Sequence, residues 1–143
     1  MLRISAHLSN MPGQHTVRLV TNDHEHSLSI APKPEGAGSS VNGGEMLFLA
    51  LATCYCNDLY REANRRGIAI RRVEVDVQGE FAPVPGASAE NVVYHVRVEA
   101  DAPEDQILDL IRHTDTVAEV QNTLRQGVPV RLGQIAGTEA PRE

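Results

Sequence analysis

Hydrophobic and polar residues alternate along the first thirty residues, a pattern typical of short β-strands. The alternating segments are residues 2–8, 15–20 and 25–30, with turn-forming residues between them. Strands joined by short turns pair with their neighbours, so we predict an antiparallel meander. A loop rich in Pro and Gly follows at residues 31–40 and leads into the next element.

The pattern then changes to that of one long helix from Asn42 to Gly67. Asn42 can cap the helix, Glu45 stands at the position that completes a capping box, and Gly67 follows a basic last turn. Residues 46–56 are apolar on every side, which predicts burial in the middle of the fold. We therefore expect this helix, which carries both cysteines of the chain, to be the central element.

Alternation returns after the helix. Residues 73–81 and 92–98 each place apolar side chains on one face and polar side chains on the other. A Pro- and Gly-containing turn separates the two segments, so we predict a β-hairpin.

The last part of the chain predicts two short helices and a strand. Asp101 and Glu104 have the spacing of a second capping box. Residues 113–114 interrupt the apolar stripe that follows, so we expect a separate helix at about residues 115–124. Residues 128–132 can form a last strand, which Pro129 confines to a sheet edge or to the strand's start.

These elements predict an α+β fold in which antiparallel sheets pack around a long central helix. The length of 143 residues suits one domain, which we place at residues 1–136, with a disordered tail at 137–143. A net charge of −6 argues against binding to nucleic acid. The eleven-residue apolar run is shorter than the roughly 20 residues needed to cross a bilayer, and no signal-peptide pattern is present. We therefore expect a cytoplasmic protein without a membrane partner.

Cys54 and Cys56 are the only cysteines, and in the cytoplasm they are expected as free thiols. Positions i and i+2 of a helix point about 200° apart, so the pair cannot easily form a disulfide. An apolar setting and the nearby Asp58 should both raise the pKa of the Cys54 thiol. The residues alone allow two roles for Cys54, packing in the core or reaction as a thiolate. A reactive thiolate would need a cation from another element to stabilise it. Arg18, on the face of its strand opposite the apolar residues, is the candidate.

A metal site receives little support from the sequence. No histidine stands at ligand spacing from the cysteines. His24 and His26 would share one face of a strand, but solvated turn histidines are the more common case. Nucleophile-elbow, phosphate-loop and paired-carboxylate motifs are absent from the sequence. We expect no metal and no cofactor.

Several motifs in this order resemble the OsmC/Ohr family. They are Gly-Gly-Glu-Met-Leu-Phe-Leu-Ala-Leu-Ala-Thr-Cys at residues 43–54, a helix end Arg-Arg-Gly-Ile, the alternating acidic strand after it, and Asn-Thr-Leu-Arg-Gln-Gly-Val-Pro-Val at residues 122–130. The likeness extends over roughly residues 17–132. It implies an OsmC-like fold, an intertwined homodimer and active sites at the subunit interface.

The resemblance also implies a chemistry. Many family members are thiol peroxidases in which a helix cysteine reduces organic hydroperoxides and a second cysteine in a late helix resolves the sulfenic acid. An arginine on an early strand and a glutamate near the helix start activate the thiol. By position, Cys54 matches the peroxidatic cysteine, Glu45 the glutamate and Arg18 the arginine.

The chain departs from that pattern at Ala118, which stands where the resolving cysteine is expected. We therefore predict a peroxidase that acts through Cys54, Arg18 and Glu45 and depends on an external thiol reductant. The alternative is a non-catalytic dimeric domain that binds a small apolar ligand in its interface cavity. Phe48, Tyr55 and Tyr60 are the side chains that we expect to line such a cavity.

Overall fold

The computed structural model describes residues 1–142, within which five strands and three helices form. In chain order they are β1 (Ile4–Met11), β2 (Gln14–Thr21), β3 (His24–Ser27), α1 (Gly43–Arg66), β4 (Ile70–Phe81), β5 (Ala89–Ala100), α2 (Glu104–Val117) and α3 (Glu119–Gln126). The strands form an antiparallel sheet β1-β2-β3 and a second sheet β4-β5. The predicted α+β fold with antiparallel sheets is confirmed.

The chain divides into two compact units, of which the first contains residues 1–50 and 77–91. Its meander follows the predicted strands, with Met11 opposite Gln14 in the first hairpin. Gly13 adopts a φ of +76° in that turn, a conformation that a residue without Cβ adopts at little cost. The same unit contains the start of α1.

The predicted capping box of α1 is confirmed. The backbone N–H of Glu45 donates to Asn42 Oδ1 at 2.8 Å, and the N–H of Asn42 donates to Glu45 Oε1 at 3.0 Å. At the other end Gly67 has a φ of +68°, as expected for a glycine that ends a helix.

The second unit contains residues 51–76 and the chain from residue 92 on. Its core consists of buried apolar residues from α1, α2 and the segments that follow these helices. They are Tyr55, Leu59, Ala63, Ile68, Leu110 and Ala118. Apolar residues of β4 and β5 pack against this cluster.

The first half of α1 is less buried in one chain than its composition predicts. The buried residues of the helix are Leu51, Tyr55, Asp58, Leu59, Glu62 and Ala63, which recur every three or four positions. This spacing forms one stripe along the helix, so the residues between these positions stay partly accessible. Leu49 is 57% exposed, and the expectation of burial on all sides is wrong for the single chain.

The helix α2 starts within the predicted segment 101–104, but the predicted capping box is wrong. The helix begins at Glu104 after Pro103, and no side chain caps it. The carboxylate of Asp101 instead accepts two hydrogen bonds from Arg71, at 2.8 and 3.0 Å. Asp101 therefore forms a charge-assisted, bidentate ion pair with Arg71 and does not cap the helix.

The break between the two late helices lies four residues later than predicted. Thr114 lies within α2, where its fully buried hydroxyl donates to the carbonyl of Leu110 and so is not left without a partner. The helix ends at Val117, and Ala118 adopts an extended conformation with φ −70° and ψ 112°. Gly127, with a φ of +63°, ends α3.

The last predicted strand is not formed. Residues 128–132 have no regular secondary structure and are exposed, and Val130 is 96% accessible. Pro129 lacks a backbone donor, and no strand of the described chain pairs with this segment. Among residues 1–142 no helix combines the length and the apolar character needed to cross a membrane.

Candidate functional site

The three residues predicted to form the site occupy two units. Arg18 lies on β2 opposite His7 and Ser27, and its side chain is exposed. Glu45 lies in the first turn of α1, also in the first unit, where it forms the capping box. Cys54 lies on the part of α1 that belongs to the second unit. Catalytic roles for Arg18 and Glu45 stay predictions.

Cys54 is half-buried, and its sulfur contacts three polar groups of the second unit. Asp58, one turn further along α1, places Oδ2 3.6 Å from Sγ. Glu119, the first residue of α3, places Oε2 3.6 Å from the same atom. The backbone N–H of Val120 donates to Sγ at 3.5 Å. The thiol therefore faces two hydrogen-bond acceptors and one donor.

Arg61 holds the two carboxylates together. Its Nη1 donates to Asp58 Oδ1 at 3.0 Å and to Glu119 Oε1 at 3.2 Å. In each carboxyl group, one oxygen accepts a hydrogen bond from the guanidinium, and the other lies 3.6 Å from Sγ of Cys54. Arg61 also donates from Nε to Glu62 at 2.9 Å, and Glu62 accepts from Arg65 at 3.2 Å, which fixes the guanidinium along α1.

The electrostatics of the site follow from burial and from these contacts. Burial raises the pKa of the Cys54 thiol, the N–H of Val120 lowers it, and the charge of Asp58 raises it again. The predicted rise of this pKa is confirmed. Burial and the hydrogen bond to Glu119 raise the pKa of Asp58 to about 6, whereas the hydrogen bond to Asp58 lowers the pKa of Glu119. Between the lowered pKa of Glu119 and the raised pKa of Asp58, the pair carries one proton, which Asp58 holds.

Cys54, Asp58 and Glu119 also offer a possible set of metal ligands. One sulfur and two carboxylate oxygens lie within 4.8 Å of one another, and a divalent metal accepts such a mixed set. The guanidinium of Arg61 already supplies positive charge to both carboxylates. The expectation that the chain holds no metal stays a prediction.

The remaining candidates from the sequence are Cys56 and the three aromatic residues that were expected to line a cavity. Cys56 is a free, half-buried thiol. Tyr55 belongs to the core, and its hydroxyl donates to the carbonyl of Ile111 at 2.9 Å, so the expectation that it lines a cavity is wrong for the single chain. Phe48 packs against Phe81 with ring centroids 6.1 Å apart. Tyr60 is 42% exposed.

Sequence reasoning identified Cys54 and Asp58 but missed Glu119 and Arg61. Asp58 follows from helical spacing, because residues i and i+4 share a face. Glu119 requires a contact between α1 and α3 that no local pattern contains. Its position next to Ala118, where the resemblance places a second cysteine, was the one signal available.

Comparison with known proteins gives one family match. A family model described as OsmC-like protein matches residues 36–133, which is more than half of the chain. No curated protein matches this chain.

Several solved structures have a similar fold. An OsmC-like protein from Mycoplasma pneumoniae superposes with a TM-score of 0.62 at 20% identity, over 90% of this chain and 89% of that one. An OsmC-like hydroperoxide resistance protein from Jannaschia sp. CCS1 gives 0.56 at 12% identity, over 95% and 96%. The organic hydroperoxide resistance protein OsmC from Legionella pneumophila gives 0.52 at 19% identity, over 87% and 89%.

Proposed function

The chain belongs to the OsmC-like protein family, and we propose that it is a thiol-dependent peroxidase that reduces organic hydroperoxides through Cys54. The observation that carries the proposal is the environment of this thiol. Cys54 is half-buried rather than enclosed, and a backbone N–H points at its sulfur. Such a donor stabilises the negative charge that develops on sulfur during attack. Two structural neighbours described as hydroperoxide resistance proteins support the choice of substrate class.

The reaction has two halves. In the first, Sγ of Cys54 attacks the terminal peroxide oxygen, an S–O bond forms and the O–O bond breaks. The thiol is oxidised to a sulfenic acid, and the hydroperoxide is reduced to an alcohol. In the second, one external thiol condenses with the sulfenic acid and releases water. A second external thiol then releases the Cys54 thiol and leaves as a disulfide with the first.

An external reductant is required because neither candidate within the chain can resolve Cys54. Cys56 points about 200° away from Cys54 around the helix. Ala118 stands where the family resemblance places the second cysteine, and it is fully buried. A small dithiol or monothiol is therefore the proposed second substrate.

We propose that the active protein is a homodimer in the cytoplasm and that Arg18 and Glu45 complete its site. Arg18 would orient the peroxide and stabilise the thiolate, and Glu45 would hold the guanidinium. The exposure of Leu49, which is 57%, supports a partner on this part of α1. The roles of Arg18 and Glu45 rest on the family resemblance.

Stopped-flow consumption of cumene hydroperoxide with dihydrolipoamide as reductant tests the proposal. We expect the Cys54→Ser variant to lose the activity, because the hydroxyl is a far weaker nucleophile than the thiol. Cys56→Ser is the matched control and should retain the parent rate. If Cys54→Ser consumes peroxide as fast as the parent, the proposal is wrong.

A second candidate is a non-catalytic dimeric domain that binds a small apolar ligand. The absence of a cysteine at Ala118 and the raised pKa of the Cys54 thiol favour it. Mass spectrometry of Cys54 and Cys56 during exposure to hydroperoxide separates the two candidates. Selective oxidation of Cys54 supports the peroxidase, and two inert thiols support the binding domain.

A further inference from the structure

The loop before α1, at residues 31–40 of the first unit, is folded by hydrogen bonds of its own. The backbone N–H of Lys33 donates to the carbonyl of Gly38 at 3.0 Å. The N–H of Ser40 donates to the carbonyl of Ala31, also at 3.0 Å, and an isolated β-bridge lies between these two bonds. The loop therefore has an internal structure that does not depend on the strands beside it.

Asn10, near the end of β1, joins this loop to the β1–β2 hairpin. Its Oδ1 accepts the backbone N–H of Gly38 at 3.0 Å. Its Nδ2 lies 3.0 Å from Nδ1 of His15, the residue opposite it on β2. The loop, Asn10 and His15 are thus connected by two hydrogen bonds in series.

The order of donors and acceptors in this series determines the protonation of His15. A backbone N–H can only donate, so the oxygen of the Asn10 amide faces Gly38 and the NH₂ group faces the imidazole. Because an NH₂ group needs an acceptor, Nδ1 of His15 carries no hydrogen and the ring hydrogen is on Nε2. The contact therefore requires the neutral ring.

The other ring nitrogen also disfavours a second proton. Nε2 of His15 is buried and has no hydrogen-bond partner among residues 1–142. In a protonated ring the new N–H would face the NH₂ group of Asn10, and the positive charge would lie beside a buried, unpaired nitrogen. Burial of an unpaired charge is costly, so a proton favours an arrangement in which the ring reaches water.

The groups around His15 do not offset a positive charge on the ring. Its neighbours on the same face of the sheet are uncharged, namely Asn10, Leu8 and Val17. The titratable residues further along that face are His24 and His26 on β3. In the loop, Lys33 lies against the end that Asn10 holds and adds a positive charge. Within residues 1–142, neither Glu35 of the loop nor another carboxylate forms an ion pair with His15.

We propose that Asn10 and His15 form a pH-sensitive latch that holds the loop against the β1–β2 hairpin and releases it in acid. With a neutral ring, both hydrogen bonds of Asn10 form. With a protonated ring, one of them is lost whichever way the amide is turned, because Gly38 and His15 then both present donors to it. Histidine is the side chain whose charge normally changes between pH 5 and 8.

The latch links pH to the chain beside the start of the central helix. The loop ends two residues before Asn42, whose side chain caps α1. Release of Gly38 frees the loop from the strands but leaves the bonds within the loop intact. The latch does not depend on the proposed peroxidase function.

Solvent exchange of two backbone amides, measured by nuclear magnetic resonance of the full chain between pH 5 and 8, tests the latch. Each rate is divided by the rate of an unstructured chain at the same pH. The amide of Gly38 should lose protection by about tenfold in acid, as expected for the loss of one or two hydrogen bonds. The amide of Ser40, which bonds within the loop, is the internal reference and should keep its protection.

Two variants and a matched control identify the groups responsible. His15→Asn keeps an acceptor near the position of Nδ1 but cannot gain a proton, so Gly38 should stay protected at every pH. Asn10→Asp presents an oxygen where the NH₂ group was, so a protonated ring can donate to it and acid should no longer release the loop. His24→Asn changes an exposed histidine of β3 and should leave the parent's pH dependence unchanged.

Three results would overturn the inference. The first is protection of Gly38 in the parent that does not vary with pH. The second is a loss of protection in acid that persists in His15→Asn, because another group would then be the sensor. The third is loss of protection at Gly38 and Ser40 together, which would mean that the whole loop unfolds. None of these results bears on peroxide consumption, so the latch and the peroxidase function fail or stand separately.

Discussion

The carboxyl groups of Asp58 and Glu119 should respond to pH in opposite ways, although both lie 3.6 Å from the same sulfur. Asp58 has a raised pKa of about 6, so its folded form keeps a proton that the unfolded chain loses near pH 4. Stability from this group is lost as pH rises towards 6. Glu119 has a lowered pKa, so its stabilising effect is lost as pH falls below its ordinary value near 4.5. The pair should stabilise the fold most at about pH 4 to 5.

This expectation can be measured with the double variant Asp58→Asn, Glu119→Gln. The free energy of unfolding of the parent, relative to the variant, should be highest near pH 4.5 and should fall by on the order of 1 kcal/mol by pH 7. Urea denaturation at both pH values gives the difference. Asp109→Asn, at an exposed carboxylate of α2, is the control. If the difference in unfolding free energy between the parent and the double variant does not vary with pH, the opposite pKa shifts of Asp58 and Glu119 are contradicted.

At the scale of single residues, the sequence predicts only part of the site around Cys54. Cys54 and Asp58 are separated by one helical turn, so their contact follows from periodicity alone. Glu119 and the N–H of Val120 reach the sulfur through packing of α3 against α1. Arg61 could be placed near Asp58 by its i+3 spacing, but its second contact, to Glu119, depends on the same packing.

Among the elements, the extended residue between α2 and α3 is the one most relevant to thiol chemistry. Ala118 is fully buried and precedes by two residues the N–H that contacts Cys54. In the Ala118→Cys variant we expect peroxide treatment to form a disulfide between position 118 and Cys54. The mass of the chain should fall by about 2 Da, and the larger side chain should destabilise the fold by about 1 to 3 kcal/mol.

The control for this variant carries the additional substitution Cys54→Ser, which should leave the mass unchanged under the same treatment. Formation of only a sulfinic acid on Cys54 would show that position 118 cannot reach it. The family resemblance would then not extend to the register of the late helices.

The sequence predicts best those elements whose ends are determined by residues close by in the chain. Both ends of α1 follow from Asn42, Glu45 and Gly67, whose conformations are determined by their immediate neighbours. The capping box predicted for α2 does not form, because Arg71, thirty residues away in the sequence, binds the carboxylate of Asp101. The strand expected at residues 128–132 fails because a strand requires a partner, which the described chain does not supply.

For the whole molecule, the accessible half of α1 makes self-association the main prediction. An apolar helix surface that one chain leaves open is covered at low cost by a second copy. We expect a dimer in light scattering at micromolar concentration. Leu49→Glu should shift it towards the monomer, because Leu49 is 57% exposed on this surface and a buried charge is costly.

Leu108→Glu is the matched control, because Leu108 is 39% exposed on α2 and should tolerate the charge without dissociation. A monomeric parent would contradict the dimer. Organisation as a single domain over residues 1–136 stays a prediction.

The packed tyrosines Tyr55 and Tyr94, the first buried and the second half-buried, give this molecule an optical probe of its own unfolding. The chain has no tryptophan and three tyrosines. Tyr55 and Tyr94 pack with ring centroids 5.1 Å apart, and burial raises the pKa of both hydroxyl groups well above the ordinary value. Both should therefore ionise in alkali only when the second unit opens. The ultraviolet absorbance of tyrosinate would report that opening, and every variant discussed above keeps both tyrosines and can be compared without a label.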